Sequence, residues 1–146
     1  MSNAIRLRNI EPNDLPIFYE QQLDVDATRM AAFPARDRAA FDAHWSTKIL
    51  GNPAAVKQTV LVGAQVAGNI GSWPQDGLRL VGYWIGKEHW GKGVATRALA
   101  ALLHLVTERP LHAHVAKHNV GSIRVLEKCG FGLEFEESTE LLFVLR

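Results

Sequence analysis

Residues 81–96 read VGYWIGKEHWGKGVAT, and the reading of this stretch decides the fold. Val81, Tyr83 and Ile85 alternate with Gly82, Trp84 and Gly86, a β-branched and aromatic pattern that suits a pleated strand. Gly91 and Gly93 break that strand, and an alanine- and leucine-rich helix begins at Val94. A turn without Cβ atoms lets the backbone approach a ligand closely. The amides at the start of the helix carry a partial positive charge and lack intrahelical partners. Strand, glycine loop and helix start therefore make an anion cradle, suited to a diphosphate. The alternative is a tight strand-to-helix turn that holds nothing.

Two familiar phosphate motifs do not fit. Gly86 to Lys92 matches the first part of a G-x-x-x-x-G-K loop, but the hydroxyl that should follow to hold magnesium is Gly93. A dinucleotide fingerprint needs a third glycine near position 96, which is Thr96.

Working outward, Ile5 to Asn9 reads as a short edge strand, and residues 11–14 as the entry to a helix. A second helical piece is expected over Ala27 to Phe33, and a third from an Asp37 cap to about Leu50, ended by Gly51 and Pro53. Val56 to Val62 and Val66 to Trp73 read as an antiparallel pair, with Pro74 to Gly77 turning into the strand that feeds the glycine loop. The helix from Val94 is expected to reach Glu108, with Leu99, Leu102, Leu103 and Val106 buried. Leu111 to Ala116 follows as a strand, Asn119 to Cys129 as a helix, and two closing strands over Phe131 to Glu136 and Glu140 to Leu145. The strands at 80–86 and 111–116 are joined through a helix and should be parallel neighbours. The fold class is mixed α+β, a sheet with helices on its faces.

The chain has 146 residues, 47% hydrophobic and 21% charged, with a formal net charge of +1. That suits one domain over 1–146 with a real core. It gives no field that would draw nucleic acid or a membrane surface. No apolar run approaches a membrane span, and MSNAIRLRN lacks a signal-peptide core. The single cysteine, Cys129, fits a reducing compartment, so cytoplasm is expected. It reads as a packed small residue rather than a nucleophile.

A second constellation follows at Asn119-Val-Gly-Ser122-Ile-Arg-Val-Leu126-Glu-Lys-Cys-Gly-Phe131. Asn119, Ser122 and Leu126 share one helical face. Singly, Asn119 reads as an N-cap and Ser122 as a first-turn hydroxyl bonded to backbone. Together they put two polar groups toward the gap beside the 80–86 strand.

HWGKGVAT after a strand, and N-x-x-S-x-x-V-L-E-K-C-G-F after the next helix and strand, resemble the GNAT family of N-acetyltransferases. Within it the sequence is most similar to the branch that includes the ribosomal-protein alanine acetyltransferases. The resemblance is specific over about residues 80–132. It implies a mostly antiparallel sheet of six to seven strands with a splayed parallel pair, at about 80–86 and 111–116, flanked by helices. It implies acetyl-CoA as co-substrate and no metal. Backbone amides of the loop at His89, Trp90, Gly91, Lys92 and Gly93 would hold the diphosphate, continuing into Val94, Ala95 and Thr96. The strand at Tyr83, Trp84 and Ile85 would pair with the pantetheine arm, with Asn119 and Ser122 on the other side of the cofactor. The thioester oxygen would take a backbone N–H near Trp84 or Ile85. Glu88 stands where the family pattern has Gln or Arg, and its charge is expected to face away. Leu126 stands where many members carry a tyrosine proposed to protonate the departing thiolate; in the branch named above, a serine matching Ser122 is proposed for that step.

The reaction implied is direct transfer of acetyl to a primary amine on a small molecule or a protein N-terminus, by a monomer or homodimer. The alternative is an acyl-CoA sensor on the same fold, favoured by Leu126. The base stays open among Glu140, Glu136, Asp76 and His114, and the acceptor site is expected between residues 10 and 55 and the last strand pair. His112, His114 and His118 are close enough in sequence to suggest a metal, but no Cys or carboxylate ligand accompanies them.

Overall fold

A computed structural model describes residues 4–146; the first three residues of the N-terminal stretch read for a leader, and of the 1–146 domain, lie outside the described residues. The elements are β1 (Ile5–Asn9), α1 (Asp14–Gln22), α2 (Val25–Ala31), α3 (Arg38–His44), β2 (Val56–Val62), β3 (Gln65–Gln75) and β4 (Leu78–Ile85). They continue with α4 (Val94–Leu105), β5 (Leu111–Ala116), α5 (Val120–Lys128), β6 (Gly132–Glu136) and β7 (Glu140–Leu145). All seven strands form one mixed sheet in the order β1-β2-β3-β4-β5-β7-β6. Every neighbouring pair is antiparallel except β4–β5, which touch in register only at Leu80 and His112. Beyond that point the two strands diverge. The fold class and the splayed parallel pair are as the sequence implied.

The sheet is covered on both faces. On one, Val81 and Ile85 of β4 and Leu111, Ala113 and Val115 of β5 pack beneath Leu99 and Leu102 of α4 and Leu126 of α5. On the other, Phe18, Phe41 and Trp45 form a separate aromatic cluster, with the Phe18 and Trp45 rings stacked at 5.2 Å. Strand alternation makes both possible, since odd and even residues of β4 face opposite ways.

Four element boundaries differ from the sequence reading in ways that have a local cause. The second helix begins at Val25, because Asp24 caps it by accepting from the Ala27 amide. The third stops being α-helical at His44 and runs on as a π-turn over Trp45–Ile49. β3 extends through Pro74 to Gln75, and the reversal is the two-residue turn Asp76-Gly77, both at positive φ. An Asp-Gly turn of that kind matches the twist of the strands it joins. α4 ends at Leu105, because Val106 is extended at φ −110°.

On the aromatic-cluster face, α1 is tied to the sheet at β1 and β2. Arg8 donates to both Asp14 carboxylate oxygens at 2.7 and 2.9 Å, while the Thr59 hydroxyl and the Glu11 amide donate to the same group. Burial would raise the Asp14 pKa, but these donors outweigh it and hold it at about 2, against 3.8. A depressed carboxylate contributes stability above its unfolded pKa and loses it as pH falls through the folded one. Acid should therefore remove about 2 kcal/mol between pH 4 and 2. Asp14→Asn should cost about 3 kcal/mol at pH 7 and flatten that limb, as read by denaturant unfolding across pH.

Candidate active site

The divergence of β4 and β5 opens a cavity of about 430 Å³. Tyr83, Trp84 and Ile85 form its wall on the β4 side, and Asn119, Ser122 and Val125 on the α5 side. His89, Trp90, Gly91 and Gly93 close one end, followed by Val94, Ala95 and Thr96 at the start of α4. Of the residues expected at a cofactor site, all line this cavity except Lys92, whose side chain is exposed. Glu88 is exposed and does not line it.

Local chemistry shapes the cavity. Gly91 and Gly93 sit at φ +74° and +75°, a region that side chains disfavour. Gly93 is the N-cap of α4, no side chain caps that helix, and its first turn carries no acid. The first amides of α4 are thus left to whatever enters the cavity. Asn119 does cap α5, its Oδ1 accepting from the Ser122 amide at 3.2 Å, which leaves its NH₂ for other partners.

The strand's edge is equally specific. The Gly86 amide donates to Ala67 of β3 at 2.8 Å. Amides alternate along a strand, so Ile85 and Tyr83 present their N–H and C=O to the divergence, and Trp84 presents its own to β3. Of the two backbone positions expected at a thioester, Ile85 is the one facing the gap. The Trp90 indole donates to the Ile85 carbonyl at 2.8 Å, fixing the loop against the strand. α2 crosses above. Asp26 pairs with Lys87 beyond β4, and the Arg29 carbonyl accepts from His118 Nε2 at 2.6 Å beyond β5. Ala27, Met30 and Ala31 of that strap line the cavity.

One pairing escaped sequence reasoning. The Tyr83 hydroxyl lies 2.6 Å from Ser122 Oγ. Burial raises the Tyr83 phenol above its ordinary value, against the lowering effect of the Ser122 bond, so the pair stays protonated at neutral pH. Tyr83 was legible as a strand residue, but its partner is 39 positions away. Cys129 packs behind, its Sγ 3.6 Å from the Thr96 carbonyl, and burial pushes its thiol up.

A second cavity, of about 250 Å³, lies on the opposite face of β4. Tyr83 and Trp84 line both. Phe41, Trp45 and Trp73 supply most of its apolar wall, and His44, Lys57 and Asn69 its polar groups. The four residues weighed as a base lie elsewhere. Glu140 pairs with His114 at 3.2 Å, Glu136 with Lys117 at 2.8 Å, Asp76 is in the β3–β4 turn, and none of them lines either cavity. The three neighbouring histidines also part company, His112 bonding Glu134, His114 bonding Glu140, and His118 bonding α2. Among the described residues no helix is long and apolar enough to cross a membrane.

A splayed parallel pair, a glycine loop on an uncapped helix and two cavities meeting at one strand define a class. The Acetyltransferase (GNAT) domain family matches residues 4–132, and the chain belongs to that family. It is 40% identical over 58 residues to the probable N-acetyltransferase YjcK of Bacillus subtilis (strain 168), a match covering 37% of this chain and only 32% of that relative. An aminoglycoside acetyltransferase, AAC(6')-Ib, solved with coenzyme A, superposes at TM-score 0.83 with 18% identity, covering 97% of this chain and 94% of its own. Spermidine N-acetyltransferase from Vibrio cholerae, solved with CoA and spermine, does so at 0.81 and 17%, covering 97% and 94%. At these identities the two structures share the fold.

Proposed function

We propose that the protein transfers acetyl from acetyl-CoA to a primary amine by direct attack. The observation that carries this reading is that two cavities on opposite faces of the sheet share Tyr83 and Trp84 as a common wall. The first fits coenzyme A. Its amide-lined end suits a diphosphate without a basic side chain for each phosphate. Its open β4 edge offers backbone groups at Tyr83 and Ile85 to an extended amide-bearing arm. When bound, that cofactor supplies an activated thioester.

This chain's residues do the rest. The α4 amides from Val94 to Thr96, with the loop from His89 to Gly93, bind the diphosphate. The Ile85 N–H donates to the thioester oxygen as charge builds there. The Asn119 amide holds the arm from the other side. Tyr83 and Ser122 together hold a proton beside the departing sulfur, either hydroxyl able to donate. In the second cavity His44 can take the amine's proton. Burial, then Arg36, Lys57 and Lys48, pull its pKa below the ordinary value, so it is neutral at pH 7. The likeness to the ribosomal-protein alanine acetyltransferase branch comes from the motifs over about residues 80–132, with Ser122 matching the serine proposed as acid there, and cytoplasm is the compartment that a single cysteine suits.

An acyl-CoA sensor is the reading that Leu126 favours. Leu126 is buried in the core, while the phenol absent from that position is supplied by Tyr83. Transfer is therefore the preferred reading. The test is coenzyme A calorimetry together with acetyl-CoA-dependent thiol release over a panel of amines. Saturable binding with release on at least one amine supports transfer. Binding with no release on any amine supports the sensor, and absence of binding overturns both.

A further inference from the structure

The second cavity has a floor whose sequence gives no hint of it. Lys57, Gly71 and Gly82 stand side by side across β2, β3 and β4. A Cβ at Gly71 would lie 2.6 Å from the Lys57 stem, and one at Gly82 would lie 2.7 Å from the Trp73 ring. The two glycines thus leave space into which the lysine stem and the indole fold. The Lys57 ammonium ends up between the Trp45 and Trp73 rings, 5.4 and 5.8 Å from their centroids. Among the described residues no carboxylate pairs with it.

The rest of the wall carries no negative charge. The Arg36 cation and a neutral His44 line this cavity, and none of the described residues lining it is Asp or Glu. Asn69 is buried and lines the cavity as well. Burial pulls the Lys57 ammonium down to about 8, which leaves it mostly charged at pH 7. A buried cation is costly unless something pairs with it. Flat aromatic walls around the Lys57 cation match a flat apolar body that carries a negative charge. A polyamine or aminoglycoside would add positive charge to a site that has no carboxylate to receive it.

Resting on the transferase reading above, we propose that the acceptor is a small amine bearing a carboxylate beside an aromatic or flat apolar group, with Lys57 holding the carboxylate. Aromatic α-amino acids are the simplest members of this class. A volume near 250 Å³ suits a molecule of that size.

The experiment compares phenylalanine, tyrosine and tryptophan with their carboxamides, and with spermidine and kanamycin. Binding is measured by calorimetry on the protein without acetyl-CoA, and transfer by thiol release. The carboxylates should bind on the order of tenfold to a hundredfold more tightly than the matching amides, the scale of a lost charge-assisted hydrogen bond. Lys57→Met should remove that preference while leaving coenzyme A affinity unchanged, and a thermal melt reports whether it folds. If it does not, the preference of the unaltered protein decides. Equal or tighter binding of the amides, spermidine or kanamycin, no binding of any carboxylate, or a preference that survives in Lys57→Met overturns the assignment. Failure of coenzyme A to bind would instead strike the transferase reading, leaving the carboxylate preference to be judged by calorimetry alone.

Discussion

Gly93→Val should lower the affinity for coenzyme A by roughly a hundredfold, the loss of two charge-assisted hydrogen bonds of about 1.5 kcal/mol each. Gly93 sits at φ +75°, where a β-branched residue is strained, yet a Cβ there would meet nothing within 4 Å. The fold therefore has room for the side chain. What changes is the cap of α4. To relieve strain the backbone must rotate, and the amides of Val94 and Ala95 rotate with it. Gly77 supplies the control. It stands at φ +79° with equally open surroundings, in the β3–β4 turn and away from both cavities. Gly77→Val should cost similar stability, about 1–3 kcal/mol, with no loss of affinity. Calorimetry on both variants separates backbone strain from ligand contact. Unchanged affinity in a folded Gly93→Val protein would remove the diphosphate from this loop.

Tyr83→Phe should lower kcat about a hundredfold, and Ser122→Ala by a comparable factor, with KM for acetyl-CoA moved much less. Their hydroxyls are 2.6 Å apart and share one proton-donating role. The double variant should then be little worse than either single one. Because burial raises the phenol, the pair should stay competent as pH rises from 7 to 9, and any basic limb caused by Tyr83 should lie above the ordinary tyrosine range. Rates that multiply in the double variant would show two independent roles. Unchanged kcat in both singles would mean that the coenzyme A thiolate leaves without a protein acid.

Much of this was legible because it is local. The cradle is built from residues adjacent in sequence, Gly91 and Gly93 followed at once by the start of α4. The parallel pairing of β4 and β5 follows from the helix between them, and the α4 core stripe from its period. Asn119 as a cap was read directly from its position before α5. Boundaries were less secure where tertiary contacts overrode local signals. Pro74 suggested a turn, but β3 continues past it to the Asp-Gly pair, which reverses the chain in two residues.

What the sequence by itself determined, then, is the order of elements and the glycine loop with the helix start that follows it. Backbone dihedral preferences and helix ends are set within a few residues. Only the tertiary structure decided what faces the two cavities. The Tyr83–Ser122 pair, the amide of Ile85 rather than Trp84 at the divergence, and the row of Lys57, Gly71 and Gly82 all depend on strand register. Register is fixed by turns and by the β2–β3 irregularity at Val60 and Leu61, and a slip of one residue would send each of these groups to the other face of the sheet.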